Sequence, residues 1–243
     1  MATSDAAPIV EQAVKSIVKP LAPVTDTFIA PICHEDIEIL FEDESLLLIN
    51  KPSGLLSLSG KNPLNKDSVH YRLEQRYPSA TMVHRLDFGT SGIMVVALNK
   101  TVNATLTKQF QRRTISKTYI AMLDGDLLDD TGVISAPIAK DPPNFPRVKV
   151  CQQTGKAASS AYQVLERLQS PQRTRVLFSP QTGRTHQLRI HSQAIGHAIL
   201  GCDLYGDDET FAAADRLLLH AATLAFDHPV TGNRIVGECA CPF

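Results

Sequence analysis

The sequence predicts an α+β fold: a large mixed, mainly antiparallel β-sheet flanked by helices and loops. Strand-length apolar runs outnumber the segments with helical periodicity. Most successive runs are joined by short turn-rich links, which favours antiparallel neighbours. The chain has 243 residues, 43% of them hydrophobic, and no internal repeat or low-complexity tract. That is enough to bury a sizeable core.

Residues 1–34 read as an N-terminal extension. Ile9 to Val18 can form a short helix, and Pro20, Pro23 and Pro31 then punctuate an extended linker. Residues 35–243 read as one domain. It starts with the alternating strand Ile37–Phe41, a turn at Asp43-Glu44, and the buried strand Ser45–Asn50, which Lys51-Pro52-Ser53-Gly54 ends. A polar loop runs to Asn65. Asp67 or Ser68 then caps a helix through Tyr77, stopped by Pro78. The apolar strand 93–98 follows, then a helix from Thr101 to Arg113 with Lys108 and Arg112 on one face. Strands are expected at 117–123 and 132–136, a stiff exposed loop at Lys140–Pro146, and strands at 158–168 and 174–179. Thr185 is expected to cap a helix from His186 to Ile195, closed by Gly196. A long strand from Leu217 to Phe226, a turn at 228–233 and a last strand complete the domain.

The net charge of −1 conceals a segregation. No acid lies between Asp87 and Asp124, between Asp141 and Glu166, or between Glu166 and Asp203. Lys108, Arg112, Arg113, Lys117, Arg147, Lys149, Arg184 and Arg189 all fall in these stretches. If the segments meet in space, they form a basic face suited to a polyanion, with Lys108, Arg112, Arg113, Lys117, Arg147 and Lys149 as phosphate contacts; the alternative is an ordinary solvated surface. No apolar run reaches membrane-spanning length, and the N-terminus lacks the pattern of a secretory signal. The five cysteines, an odd number without C-x-x-C spacing, read as free thiols in a reducing cytoplasm. Cys239-x-Cys241 alone is a weak metal hint.

Three segments carry chemistry. His84-Arg85-Leu86-Asp87-Phe88-Gly89-Thr90-Ser91-Gly92 puts one carboxylate on a turn leading into a strand. It contains a kinase-like His-Arg-x-Asp and an Asp-Phe-Gly, but kinase chemistry needs two separate aspartates, and Asp87 would have to be both. Glycine-rich phosphate loops and the H-E-x-x-H zinc pair are also missing, so no cofactor and no metal is expected. Gln181 to His191 is a turn feeding a helix N-terminus, a setting that favours anions. Arg184 there can pair with Asp87 or with a phosphate. In Lys117-Thr118-Tyr119, Tyr119 is either a stacking face for a nucleobase or a half-buried strand residue.

Taken in order, Lys51-Pro52-x-Gly54, His84-Arg85-Leu86-Asp87-x-x-Thr90-Ser91-Gly92, Lys117-x-Tyr119 and Thr182-Gly183-Arg184-x-His186-Gln187-Leu188-Arg189 resemble the motifs of the RluA-type RNA pseudouridine synthases. The resemblance covers about residues 36–237 and is nearest to the ribosomal large-subunit synthase A branch. It implies a pseudouridine synthase-like core with its active-site cleft on the sheet. It also implies cofactor-free isomerisation of uridine in a large-subunit ribosomal RNA stem-loop and in a tRNA anticodon stem-loop. A monomer is expected, because no strong exposed apolar stripe appears in the sequence. On this resemblance Asp87 is the essential carboxylate, attacking C1′ or taking a ribose proton. Arg85 fills the space of the flipped base, Tyr119 stacks on the uracil, and Arg184 orients Asp87. His84, Thr90, Ile93, Leu188 and Arg189 complete the contacts to the flipped nucleotide.

Overall fold

The computed structural model describes residues 28–243; the short helix expected at Ile9–Val18 and the prolines at 20 and 23 lie outside them. In chain order the strands are β1 (Glu38–Glu42), β2 (Leu46–Lys51), β3 (Thr81–Met82), β4 (Ser91–Ala97), β5 (Ser116–Asp124), β6 (Thr131–Ser135), β7 (Ile138–Lys140), β8 (Val148–Val150), β9 (Ser159–Gln169), β10 (Gln172–Pro180), β11 (Leu219–Asp227) and β12 (Arg234–Glu238). The α-helices are α1 (Val69–Glu74), α2 (Lys100–Arg112), α3 (Gln187–Ala194) and α4 (Asp208–Ala212).

One large sheet runs β1-β2-β4-β11-β5-β10-β9-β6, with β12 paired to β11 and β3 to β4, and β7 and β8 form a separate hairpin. Its pairs are antiparallel except β4–β11, which is parallel. The mixed, mainly antiparallel sheet expected from the sequence is therefore present. Every residue of β4 is buried, as a central strand covered on both faces requires. By contrast, β10 buries only Thr174, Val176 and Phe178, which alternate along it and mark a strand with one partly exposed face.

The parallel pair is short, with His220 opposite Ser91 and Ala221 opposite Gly92. Gly92 sits at φ +111°, and a Cβ there would stand 2.2 Å from the Ala221 carbonyl oxygen. Only glycine meets both demands. Beside it, Arg216 donates to Ser91 Oγ, Ser91 Oγ lies 2.8 Å from His220 Nδ1, and His220 Nε2 lies 3.2 Å from the Cys239 carbonyl. This buried polar chain ties the start of β4 to β11 and the C-terminal segment.

The apolar side chains form two clusters. One gathers β2, β4, α1 and α2; the other gathers β5, β10, α3 and the loop from Ile199 to Tyr205. Tyr119 on β5 packs against both, so it marks the seam between them.

Several boundaries moved. Asn99 rather than Thr101 opens α2, its side chain accepting from the Val102 N–H at 2.9 Å. Thr185 does not cap α3: His186 occupies the N-cap in a left-handed conformation, and its side chain makes no capping bond. Ser68 does cap α1, accepting from the Tyr71 N–H. The hairpin β7–β8 and helix α4 were not expected. Residues 28–34, read as linker, lie against the domain. Asn65 accepts from the Ala30 N–H and donates to the Phe28 carbonyl, each at 2.8 Å, and Arg72 donates to the Cys33 carbonyl at 2.5 Å.

Candidate active site

The loop before β4, the strand β5 and the turn after β10 converge over β11 and enclose a cleft of about 1000 Å³. Among the described residues lining it, Asp87 is the one acid, facing Arg85, Arg113, Lys117, Arg184 and Arg189. His84, Thr90, Ile93, Tyr119 and Leu188 also line it. The structure thus brings together residues from the first and third acid-free stretches, while the second, between Asp141 and Glu166, contributes none to the lining. Four of the expected phosphate contacts stay outside the cleft: Lys108 and Arg112 are exposed on α2, and Arg147 and Lys149 are exposed at the hairpin.

Asp87 is held by its backbone. Its carbonyl accepts from the Thr90 N–H at 3.1 Å, closing the turn Asp87-Phe88-Gly89-Thr90. The next carbonyl, of Phe88, accepts from the Gly54 N–H at 3.0 Å and from Lys51 Nζ at 3.2 Å. Lys51 is fully buried, and its ammonium also donates to the carbonyls of Pro52 and Leu55. Burial pulls its pKa down to about 7, against the opposing pull of Cys33 and Asp87. The Lys51-Pro52-x-Gly54 motif is therefore the clamp behind the aspartate loop, a role its spacing alone did not reveal.

The arginine facing the carboxylate is Arg189, not Arg184. Arg189 Nη1 stands 4.0 Å from Asp87 Oδ2. The Arg184 side chain instead donates to the Ala157 carbonyl at 3.2 Å. Arg184 precedes α3, whereas Arg189 leaves the helix body toward the cleft floor and is 4% exposed. Its guanidinium also pairs with Asp203 and lies 3.4 Å from Cys202 Sγ. Burial works against its charge, but Cys202, Asp203 and Asp87 outweigh it and raise its pKa. His186 faces the other carboxylate oxygen, with Nε2 at 4.0 Å from Oδ1. Neither His186 nor its neighbour Tyr205 was singled out as a site residue from the sequence.

His84 belongs to the scaffold more than to the nucleotide pocket. Its ring stacks on Phe110 at 4.7 Å, and its Nε2 accepts from the Val95 N–H at 3.1 Å. With that lone pair engaged, burial pushes its pKa down to about 3, helped by Lys117. Tyr119 has its pKa raised by burial and by Asp87, so its phenol keeps its proton at neutral pH. Arg85 is exposed beside Asp87, free to reach across the cleft mouth.

The family model for RNA pseudouridylate synthase matches residues 45–194, which span the clamp, the aspartate loop, Tyr119 and α3. The dual-specificity RNA pseudouridine synthase RluA of Yersinia pestis is 47% identical over 205 residues, 84% of this chain and 99% of that protein. The protein of the same name from Escherichia coli strain K12 is 44% identical over 205 residues, 84% of this chain and 93% of that one. Among solved structures, human RNA Pseudouridylate Synthase Domain Containing 1 superposes with a TM-score of 0.75 at 29% identity, covering 88% of this chain and 86% of that one. With this fold, these motifs and this extent of likeness, the chain belongs to the RNA pseudouridylate synthase family.

Proposed function

We propose that this protein isomerises uridine to pseudouridine in structured RNA, with a large-subunit ribosomal RNA stem-loop and a tRNA anticodon stem-loop as its substrates. The observation that carries this is that, among the described residues lining a cleft of about 1000 Å³, Asp87 is the one acid and faces five cationic side chains. A uridine leaves its stack at a cost of a few kcal/mol and enters the cleft. Arg85 takes the space the base vacates. The C1′–N1 bond breaks, the uracil turns, C1′ bonds to C5, the C5 proton leaves, and N1 takes up a proton. Attack on C1′ and removal of a ribose proton both need a carboxylate at the ribose, and that Asp87 is the one acid among the described residues lining the cleft supports its having this role. Tyr119, its phenol protonated, offers a ring face and an O–H donor to the uracil. Ile93 and Leu188 supply apolar walls, and Lys117 and Arg113 meet the phosphates. The relatives' dual-specificity label supports the two-RNA reading. Five free thiols fit a protein working in a reducing cytoplasm.

The test is Asp87→Asn. Pseudouridine formation is expected to vanish while retention of RNA on a filter is unchanged; full activity would refute the assignment. A nucleoside hydrolase would instead release free uracil, but that chemistry ordinarily uses two carboxylates, and no second acid lines the cleft among the described residues.

A further inference from the structure

His186 has φ 53° and ψ 20°, a left-handed backbone that among the described non-glycine residues only Arg113 shares. Such a conformation is strained for a Cβ-bearing residue and persists where surroundings enforce it. Here the ring is held between two groups. Nδ1 lies 2.9 Å from Tyr205 Oη, with the rings edge to face at 5.7 Å. Nε2 faces Asp87 Oδ1 at 4.0 Å.

The hydrogen positions follow from the partners. Tyr205 is 4% exposed, and its Oη accepts the Val148 N–H at 2.9 Å. The phenolic hydrogen is then free to point at His186 Nδ1. If it does, the imidazole hydrogen sits on Nε2 and faces the carboxylate. The opposite tautomer would turn a lone pair toward Asp87 and set two acceptors against each other. A shift of about 1 Å would bring the Nε2–H into hydrogen-bond range of Oδ1.

We propose that His186 and Tyr205 are a positioning pair for the reaction: Tyr205 fixes the neutral, Nε2-protonated form of His186, which holds one oxygen of Asp87 while Arg189 holds the other. This rests on the isomerase reading with Asp87 as its carboxylate. The charged and titratable groups around the ring are Asp87 from the loop before β4, Arg189 from α3, and Asp203 and Tyr205 from the loop after it. Arg147, on the hairpin, lies over the Tyr205 ring at 5.4 Å. Burial lowers the His186 pKa, with Asp87 opposing it. Without the Tyr205 hydroxyl, Nδ1 is free to take a proton beside Asp87. Protonation then begins at higher pH, and the acid limb of kcat moves upward.

The experiment compares wild type, Tyr205→Phe and His186→Asn in steady-state pseudouridine formation from about pH 5 to about pH 9. Asparagine tolerates the left-handed backbone and leaves the bond from Val148 to Tyr205 in place, so this variant is expected to fold even if Tyr205→Phe does not. Tyr205→Phe is expected to lower kcat about tenfold near neutral pH, to leave KM for RNA within about twofold, and to raise the acid limb by about one pH unit. His186→Asn is expected to lower kcat similarly and to lack the shifted limb, since it carries no imidazole. A folded Tyr205→Phe or His186→Asn with wild-type kcat, or a change confined to KM, overturns the proposal. Wild type that forms no pseudouridine would overturn the isomerase reading instead, so the two failures are distinguishable.

Discussion

Replacing Arg189 by methionine separates the two arginines that compete for the role of partner to Asp87. The substitution keeps much of the length and apolar body of the side chain and removes its charge. Two unit charges 4.0 Å apart interact by about 4 kcal/mol at an effective dielectric of about 20. Asp87 is 28% exposed, and water and the facing His186 take up part of the loss. A remaining penalty of about 1.4–2.8 kcal/mol, felt where the carboxylate acts on the ribose, corresponds to a fall in kcat of about ten- to a hundredfold. Folding suffers less. The other partner, Asp203, is 59% exposed and stays hydrated, so a stability cost of about 1–2 kcal/mol is expected rather than the larger figure for stranding a buried charge. Arg184→Met removes only a bond to the Ala157 carbonyl and is expected to raise KM for RNA while kcat stays within about twofold. The assay is steady-state release of tritium from RNA labelled at uracil C5 over a range of RNA concentrations, which gives kcat and KM, because the C5 hydrogen must leave when C1′ bonds to that carbon. If Arg184→Met lost more kcat than Arg189→Met, the geometry described for Asp87 would be wrong.

Three further outcomes are expected. His84 has its folded pKa depressed to about 3, so it contributes stability that is present above the unfolded value of about 6.5 and is lost as pH falls toward 3. His84→Gln, whose amide oxygen is expected to accept from Val95, should flatten the acid slope of urea-unfolding free energy by about 1.4 kcal/mol per pH unit; an unchanged slope would remove His84 from that account. Gly92→Ala is expected to cost about 3 kcal/mol or more, since its Cβ would stand 2.2 Å from a backbone oxygen, and a melting temperature equal to wild type would contradict the close β4–β11 approach. Arg147→Ala should weaken RNA binding and reduce the slope of log affinity against log salt by somewhat under 1. Lys149→Ala should do less, because Lys149 is already paired with Asp141 at 3.8 Å.

The aspartate loop was legible because its signals are local: a carboxylate, turn residues and an uninterrupted apolar strand lie within fourteen positions of one another, from His84 to Ala97. Which arginine meets Asp87 was not, because that depends on how α3 is rotated. From Gln187 to Ser192 every residue of α3 is buried, so the helix has no amphipathic stripe from which to read an inward face. The cap at His186 was hidden for a related reason: threonine is the better N-cap by residue type, and the side chain of His186 is engaged by Tyr205 rather than by the helix. The hairpin β7–β8 was obscured by its three-residue strands and by Pro142, Pro143 and Pro146 between them. Lys51 was visible only as part of a motif, since nothing in a sequence marks a lysine whose ammonium is surrounded by carbonyls.

The placement of the cleft follows from how the sheet is assembled. Antiparallel neighbours can be built by short turns, but β4 and β11 are parallel and are separated by more than a hundred residues of chain. Between them the chain builds a second apolar cluster and returns. The site forms where the two halves meet: Asp87 enters from the first, Arg189 and His186 from the second, and Tyr119 packs on both. The carboxylate and its partners therefore come into register only when the whole sheet is closed, with Gly92 permitting the close approach. Arg85 and the hairpin cations lie outside that seam and are exposed. Substitutions in the seam should consequently act on kcat and stability together, while substitutions at the rim should act on RNA affinity and its salt dependence.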